Sequence, residues 1–331
     1  MPAAEVAALA ADTGYQGVEV RAHPEEPVHP GIGRSDRAAV ARAFERAGVG
    51  VLAVCGYPRV AAAGPDGPVL AEIADLVELA GDLGAPYVRV FPGAAVRDSG
   101  GGTPVPGGGG GGAGAEPGAR GAPGEESGPG GPGAGGDAVA ARRLALAARE
   151  AAPRGVRILL ETHDSHRTGE SVARVLDRAG APDAGARSGS GGGADSGSGP
   201  GSGVRPGRGS GLRSGPGSGL RPAPESGGSG PGAVWDVLHT WLGGESPEGT
   251  WRALGPSVGY VQVKDVASRE DLAPLALGEG VLPLADVLAR ASGRTWLSWE
   301  YEKRWAPEAA ELPGLLVPGR EYLERLIGRG M

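Results

Sequence analysis

Several residue types are scarce in this 331-residue chain, and each scarcity excludes a class of protein. Cys55 is the only cysteine, so an internal disulfide cannot form and a reducing, cytoplasmic location is expected. No apolar run reaches about 18 residues, and the N-terminus lacks a basic segment followed by an apolar one, so neither a membrane span nor a signal peptide is predicted. The formal net charge is −7 without a basic patch, which argues against a nucleic-acid partner.

Glycine, in contrast, is abundant. Many of the 65 glycines lie in two tracts, Ala94–Gly136 and Pro182–Gly232. Neither tract has sustained apolar periodicity, so neither can bury enough surface to offset the conformational entropy of its chain, and both are predicted to be disordered insertions. The remaining residues, about 240, are enough for one α/β barrel, so we predict a single domain over residues 1–331.

Outside the two tracts, short apolar segments alternate with segments of helical periodicity. Seven segments are predicted to be strands: Gly17–Arg21, Val49–Gly56, Tyr87–Gly93, Val156–Glu161, the segment that opens at Ala233, Val258–Val266 and Thr295–Lys303. Strand–helix alternation predicts a parallel sheet with helical crossovers, here a (β/α)8 TIM barrel. The chain begins in a helix where a closed barrel would begin with a strand. Either the barrel lacks strand one or the start of the reading frame was assigned too late.

The stretch Val156–His166 is the chemical focus of the chain. Its apolar, branched half reads as a buried parallel strand because it is short and follows Pro153 and Gly155. Polar residues begin abruptly at Glu161, and active sites of α/β enzymes form where such strands end. A solvated βα loop is the alternative interpretation of these residues.

Four strands end in, or contain, a polar residue that a buried strand does not normally tolerate: Glu161, Asp236, Gln262 and Glu300. Three carboxylates in one barrel mouth would repel each other unless a cation lay between them. Three carboxylate oxygens and one amide oxygen suit Mg²⁺ or Mn²⁺, whereas Zn²⁺ or Co²⁺ would usually have more imidazole ligands. The alternative is that arginine or backbone groups satisfy some of the four.

The motifs ETHDSH, WDVLH, VQVKD, GEG and WLSWEYE, in this order and spacing, resemble those of the xylose isomerase-like TIM barrels of the sugar phosphate isomerase/epimerase family. GYQGVEVR near the N-terminus resembles strand two of that family. The resemblance implies that strand one is the missing element. It also implies one divalent ion at the ends of strands five to eight, held by Glu161, Asp236, Gln262 and Glu300. Gln262 stands where the family usually has a histidine, so the affinity or identity of the ion is open.

The resemblance also assigns roles at the site. Glu161 and Glu300 would be the acid and base that move a proton next to a carbonyl. His239 would contact substrate oxygens or orient Asp236. Three further residues are candidates for substrate contact: His163, which lies on the same side of the chain as Glu161, Lys264, which alternates with Gln262, and Glu19 on the first predicted strand. A salt bridge for Lys264 and interior packing for Glu19 are the alternatives.

The predicted activity is therefore metal-dependent isomerisation or epimerisation of a sugar or sugar phosphate through an enediolate. The ion would be Mn²⁺ or Mg²⁺, with Co²⁺ or Zn²⁺ as alternatives. A second enzymatic hypothesis is a dehydratase-type lyase on the same scaffold. A non-enzymatic hypothesis is a degenerate barrel that only binds a ligand. The superfamily's multi-zinc endonucleases fit poorly, because the chain has 5 histidines and an acidic balance. Small carbohydrates are the expected partners, and pairing into a homodimer is expected from the family.

Overall fold

Strands and helices alternate along the chain in the computed structural model, which describes residues 1–93, 134–180, 230–291 and 293–329. The strands are β1 (Gly17–Arg21), β2 (Gly50–Arg59), β3 (Tyr87–Phe91), β4 (Arg157–Glu161), β5 (Gly232–Asp236), β6 (Val258–Val263) and β7 (Trp296–Trp299). The helices are α1 (Ala3–Asp12), α2 (Arg34–Ala47), α3 (Asp66–Leu83), α4 (Ala134–Ala151), α5 (Gly169–Gly180), α6 (Val237–Leu242), α7 (Pro247–Leu254), α8 (Leu284–Ala291) and α9 (Leu312–Arg329).

The strands form one parallel sheet in the order β1 to β7, so each strand pairs with its neighbours in the sequence. This confirms the predicted TIM-barrel architecture with seven strands. Within the described ranges, no backbone pairing joins β7 to β1, and the eighth strand of a closed barrel is not present. Parallel pairing places the carboxyl ends of all seven strands at one edge, where βα loops meet.

Most of the two glycine-rich tracts lies outside the described residues, which resume at 134 and 230. The predicted ends of the tracts were wrong by a few residues. Residues 134–136 already belong to α4, and Gly232 opens β5. Glycines in the first turn of α4 are tolerated because the rest of the helix buries Ala140, Ala141 and Leu144 against the core.

Residues at the ends of two helices suit the backbone conformation or the capping hydrogen bond found there. α2 ends at Ala47 and is followed by Gly48, whose φ of 68° lies in the left-handed region that glycine adopts without strain. The side chain of Ser246 accepts a hydrogen bond from the backbone of Gly249 and so caps α7. The last helix begins at Leu312, and Pro318 lies inside it.

The apolar core lies on both faces of the sheet: one part lies between the sheet and the helices, and the other lies inside the barrel. Helix-facing residues form two clusters, one under α1–α5 and one under α6, α8 and α9. A third cluster takes its buried members from strands alone, namely Leu52, Ala53, Cys55, Leu159, Val234 and Tyr260, and fills the space inside the barrel. None of the described helices combines the length and the apolar character that crossing a bilayer requires. The cytoplasmic location and the homodimer remain predictions from sequence.

Candidate functional site

Glu161 lies at the carboxyl end of β4 and is 2% exposed. Its Oε2 is 2.9 Å from Nε of Arg89, which is itself buried on β3. The two atoms form an ionic contact without an aligned hydrogen bond. Burial raises the pKa of Glu161 to about 8; Arg89 acts against this shift, and the nearby carboxylates of Glu300 and Asp236 add to it.

Arg89 was missed at the sequence level. Its Nη1 donates a hydrogen bond of 2.9 Å to the backbone oxygen of Gly56, and its guanidinium lies 4.0 Å from the ring centroid of Phe91. A charged residue in the centre of YVRVF was the available signal, because a buried arginine requires an anionic or carbonyl partner.

Asp236 ends β5 and is completely buried. Its Oδ1 accepts a 3.0 Å hydrogen bond from the backbone nitrogen of His239, which makes Asp236 the N-cap of α6. Its Oδ2 is 2.7 Å from Nζ of Lys264, and Lys264 also donates to Oε2 of Glu300. Burial alone would raise the pKa of Asp236, but Lys264 and His239 outweigh burial and hold it at about 2.

Gln262 lies beside Asp236 in the β5–β6 register and is 1% exposed. Its Nε2 donates to Oε2 of Glu19 at 3.0 Å. A carboxylate can only accept hydrogen bonds, so this contact places the amide nitrogen toward Glu19 and leaves Oε1 of Gln262 as the free end. Among the described residues this Oε1 has no hydrogen-bond partner.

Glu19 on β1 accepts hydrogen bonds from residues on β2, β6 and β7. Besides Gln262, it accepts hydrogen bonds from Tyr260 at 2.6 Å, from Cys55 at 3.0 Å and from Ser298. Cys55 is therefore a donor as well as a buried apolar group, and burial raises its thiol pKa. Both oxygens of Glu19 are engaged by protein groups, so the structure brings Glu19 to the site as the residue that holds Gln262.

His163 and His239 lie beside Glu161, with their rings tilted by 55° to each other and the ring centroids 3.9 Å apart. Burial lowers the pKa of His239 to about 4, only partly offset by Asp236, so its imidazole is neutral at pH 7. The Nδ1 of His163 is 2.8 Å from Oδ1 of Asp164. Burial acts to lower the pKa of His163, but the contact with Asp164 reverses this effect and the pKa is raised.

Several buried oxygens of the site are suited to bind a divalent ion. Three buried oxygens have no aligned hydrogen bond among the described residues: Oε2 of Glu161, Oδ2 of Asp236 and Oε1 of Gln262. These atoms belong to three of the four predicted ligands, and hard oxygen donors of this kind fit Mg²⁺ or Mn²⁺. A second group, Glu161 with His163 and His239, presents ligand atoms within 4.8 Å of one another and would suit a softer ion.

A cavity of about 790 Å³ opens onto this site. Glu161, His163 and Glu300 line it at the barrel mouth, and it continues into the gap between β1 and β7, where Val18 and Leu297 face it. The cavity thus reaches the part of the site that contains Glu161, His163 and Glu300.

The sequence profile of the xylose isomerase-like TIM barrel family matches residues 7–186. The chain belongs to this family, which confirms the resemblance drawn from its motifs. No curated protein matches this sequence.

Solved structures with the same fold include enzymes and a metal-bound protein. D-psicose 3-epimerase from Clostridium cellulolyticum H10, solved with D-tagatose, is 11% identical with a TM-score of 0.63, covering 98% of this chain and 93% of that one. The probable 3-DHS dehydratase AsbF from Bacillus anthracis is 12% identical with a TM-score of 0.61, covering 97% and 92%. An IOLI protein with a bound zinc atom is 14% identical with a TM-score of 0.60, covering 98% and 92%.

Proposed function

We propose that this protein is a metal-dependent isomerase or epimerase of a sugar or sugar phosphate. The observation that carries the proposal is the set of three buried oxygens, on Glu161, Asp236 and Gln262, that lack aligned hydrogen bonds at the carboxyl edge of the strands. Oε2 of Glu161 and Oδ2 of Asp236 make ionic contacts with Arg89 and Lys264, whereas Oε1 of Gln262 has no polar partner among the described residues. A buried polar atom without a partner is costly, and it persists where a ligand satisfies it. The shared fold of an epimerase solved with a ketose gives the proposal independent support.

Glu161, Asp236, Gln262 and Glu300 would hold the ion, which is Mn²⁺ or Mg²⁺ for this oxygen-rich set. When bound, a divalent ion polarises the substrate carbonyl and stabilises the negative charge that develops on its oxygen. The Glu161, His163 and His239 group is the alternative, and it would favour Zn²⁺ or Co²⁺.

Glu161 and Glu300 are the proposed acid and base. One carboxylate takes the proton from the carbon next to the carbonyl, and the electron pair of the broken C–H bond forms the C=C bond of the enediolate. The other returns a proton to the neighbouring carbon or to the opposite face. Burial disfavours the ionised form of Glu161 and raises its pKa, which favours transfer of the proton to this carboxylate.

Four side chains around this pair are proposed to bind the substrate or support its binding. His163 and His239 lie next to Glu161, and the neutral ring of His239 can donate to or accept from a sugar hydroxyl. Lys264 would pair with a substrate oxyanion, and Glu19 would act through Gln262. A cavity of about 790 Å³ accommodates a monosaccharide or its phosphate.

Exchange of substrate hydrogen with solvent deuterium tests this proposal. The protein is incubated in D₂O with a panel of ketoses and ketose phosphates and with Mn²⁺, Mg²⁺ or Co²⁺, and the products are separated by chromatography and identified by mass spectrometry and NMR. We expect one deuterium at the carbon next to the carbonyl and an isomeric product. Loss of water from the substrate would identify a lyase instead, and no exchange with any combination would contradict the proposal.

Glu161→Gln should abolish turnover, because an amide cannot carry the proton. Removing a general acid or base typically lowers the rate by about 10²–10⁴-fold. Glu302→Gln is the matched control, since Glu302 lines the same cavity and has no assigned role in proton transfer. A Glu161→Gln protein with a rate near that of the wild type would show that the acid–base assignment is wrong.

A further inference from the structure

The ammonium of Lys264 lies between two of the proposed metal ligands. Its Nζ is 2.7 Å from Oδ2 of Asp236 and donates a hydrogen bond to Glu300. Lys264 is 3% exposed and Asp236 is fully buried, so water does not weaken the contact between them. Lys264 therefore already occupies a cation position between these carboxylates.

The two oxygens of Asp236 have different partners. Its Oδ1 caps α6 by accepting the backbone N–H of His239. Its Oδ2 has no aligned hydrogen bond, and this is the oxygen that Lys264 contacts. An ion bound to Oδ2 would meet the ammonium on the same atom, so the ion and Lys264 compete for one oxygen.

The local charges lead to the same conclusion. The carboxylates of Glu161, Asp236 and Glu300 face the cations of Arg89 and Lys264. A divalent ion bound to Asp236 and Glu300 would lie close to the ammonium of Lys264, and the two cations would repel each other. The repulsion is relieved if the ammonium of Lys264 leaves the carboxylates when the ion enters.

We propose that Lys264 is a built-in competitor of the divalent ion: its ammonium neutralises Asp236 and Glu300 in the metal-free protein and must leave them for the ion to bind. The inference rests on the metal site of the proposed function, but not on the sugar chemistry. It means that metal-free protein is folded without the ion, and that the ion binds more weakly than the oxygen ligands alone would dictate.

Calorimetric titration with Mn²⁺ tests the competition on the full chain. Lys264→Met removes the ammonium and keeps the aliphatic part of the side chain, and Lys264→Arg is the matched control that keeps the charge. We expect the Kd of Lys264→Met to fall by about 10–100-fold, a change of the same size as, but opposite in direction to, the one seen when groups that support metal ligands are removed. The Kd of Lys264→Arg should equal or exceed that of the wild type.

Thermal unfolding provides a second readout. Metal-free Lys264→Met should melt below the wild type, because Asp236 is left as an unpaired buried charge, and Mn²⁺ should raise its melting temperature more than it raises that of the wild type. Lys264→Gln, which is neutral but retains a hydrogen-bond donor for Asp236, serves the same purpose if the methionine variant does not fold. The same rise with Mn²⁺ is expected of it.

The location of the bound ion is checked by adding His163→Asn to Lys264→Met. The gain in affinity should survive this change, and its loss would place the ion on the histidines and overturn the inference. Equal Mn²⁺ affinities for the wild type and Lys264→Met would also overturn it, while leaving the metal site of the proposed function intact. Absence of Mn²⁺ binding in both proteins would contradict both proposals.

Discussion

At the scale of single residues, Glu19 determines which end of the Gln262 side chain faces the site. Its carboxylate accepts from Nε2 of Gln262 and also from Tyr260 and Ser298. Because an ionised carboxylate has no proton to donate, the amide of Gln262 cannot exchange the positions of its nitrogen and oxygen without losing this bond. A neutral amide oxygen is thereby presented to the proposed ion by a residue about 240 positions away in the sequence.

Gln262→His should tighten metal binding. One ring nitrogen can donate to Glu19 while the other faces the ion, and an imidazole is a stronger donor than an amide oxygen for Co²⁺ and Zn²⁺. Calorimetry with each ion should show a larger gain for Co²⁺ and Zn²⁺ than for Mg²⁺. Gln262→Leu, which offers no donor atom, should show no gain, and unchanged affinities in the histidine variant would mean that residue 262 does not reach the ion.

At the scale of elements, the segment between β6 and α8 is organised by one buried carboxylate. Asp265 accepts hydrogen bonds from the backbone nitrogens of Gly278, Gly280 and Leu282, at 2.9, 3.0 and 3.1 Å. Gly278 has a φ of 93°, which few other residues adopt. Since Lys264 directly precedes Asp265, the geometry of this segment also sets the position of the ammonium.

Gly280→Ala should destabilise the protein by about 1–3 kcal/mol, the usual cost of overpacking. A Cβ at this position would lie 2.2 Å from Oδ1 of Asp265 and 2.3 Å from the backbone oxygen of Val266, so the turn must open. Urea unfolding measures the change in the free energy of unfolding. Gly81→Ala is the control, because a Cβ there meets nothing closer than 3.9 Å inside α3, and alanine favours a helix. Equal stabilities of the two variants would contradict this account of the turn.

At the scale of the whole molecule, side chains and terminal helices connect the two ends of the strand order. Glu19 on β1 accepts from Ser298 on β7 across the gap. The hydroxyl of Tyr15, just after α1, donates to the backbone oxygen of Leu316 in α9 at 3.0 Å, and Arg320 donates to the backbone oxygen of Thr13 at 3.0 Å. The first and last helices therefore hold together the edge where backbone pairing is not observed in the described residues.

Stability of the whole barrel should depend on pH through His166, a fully buried residue whose Nε2 is 3.2 Å from Oδ1 of Asp137 in α4. Burial lowers its pKa below 6.5, although Asp137 acts in the opposite direction and Arg174 adds to the lowering. In the window just below pH 6.5 the unfolded chain therefore binds more protons than the folded one. The free energy of unfolding contributed by this group is full above that window and is lost as the pH falls through it.

Urea unfolding between pH 5 and pH 7 measures this dependence. The slope for His166 is at most about 1.4 kcal/mol per pH unit, and it should disappear in His166→Gln, which retains a donor for Asp137 but does not titrate. An identical pH dependence in both proteins would mean that His166 titrates alike in the folded and unfolded states.

The sequence by itself determined the strand–helix alternation and the edge at which the chemistry lies. Apolar runs, breaks at glycine and proline, and abrupt changes to polar residues are local features, and parallel strands necessarily bring Glu161, Asp236 and Glu300 to one edge. Only the tertiary structure decided how these groups pair. The contact of Arg89 with Glu161, the orientation of Gln262 by Glu19 and the position of Lys264 between Asp236 and Glu300 join side chains far apart in the sequence. Such pairings depend on strand register and on distances of a few ångströms between buried charges, which sequence periodicity does not encode.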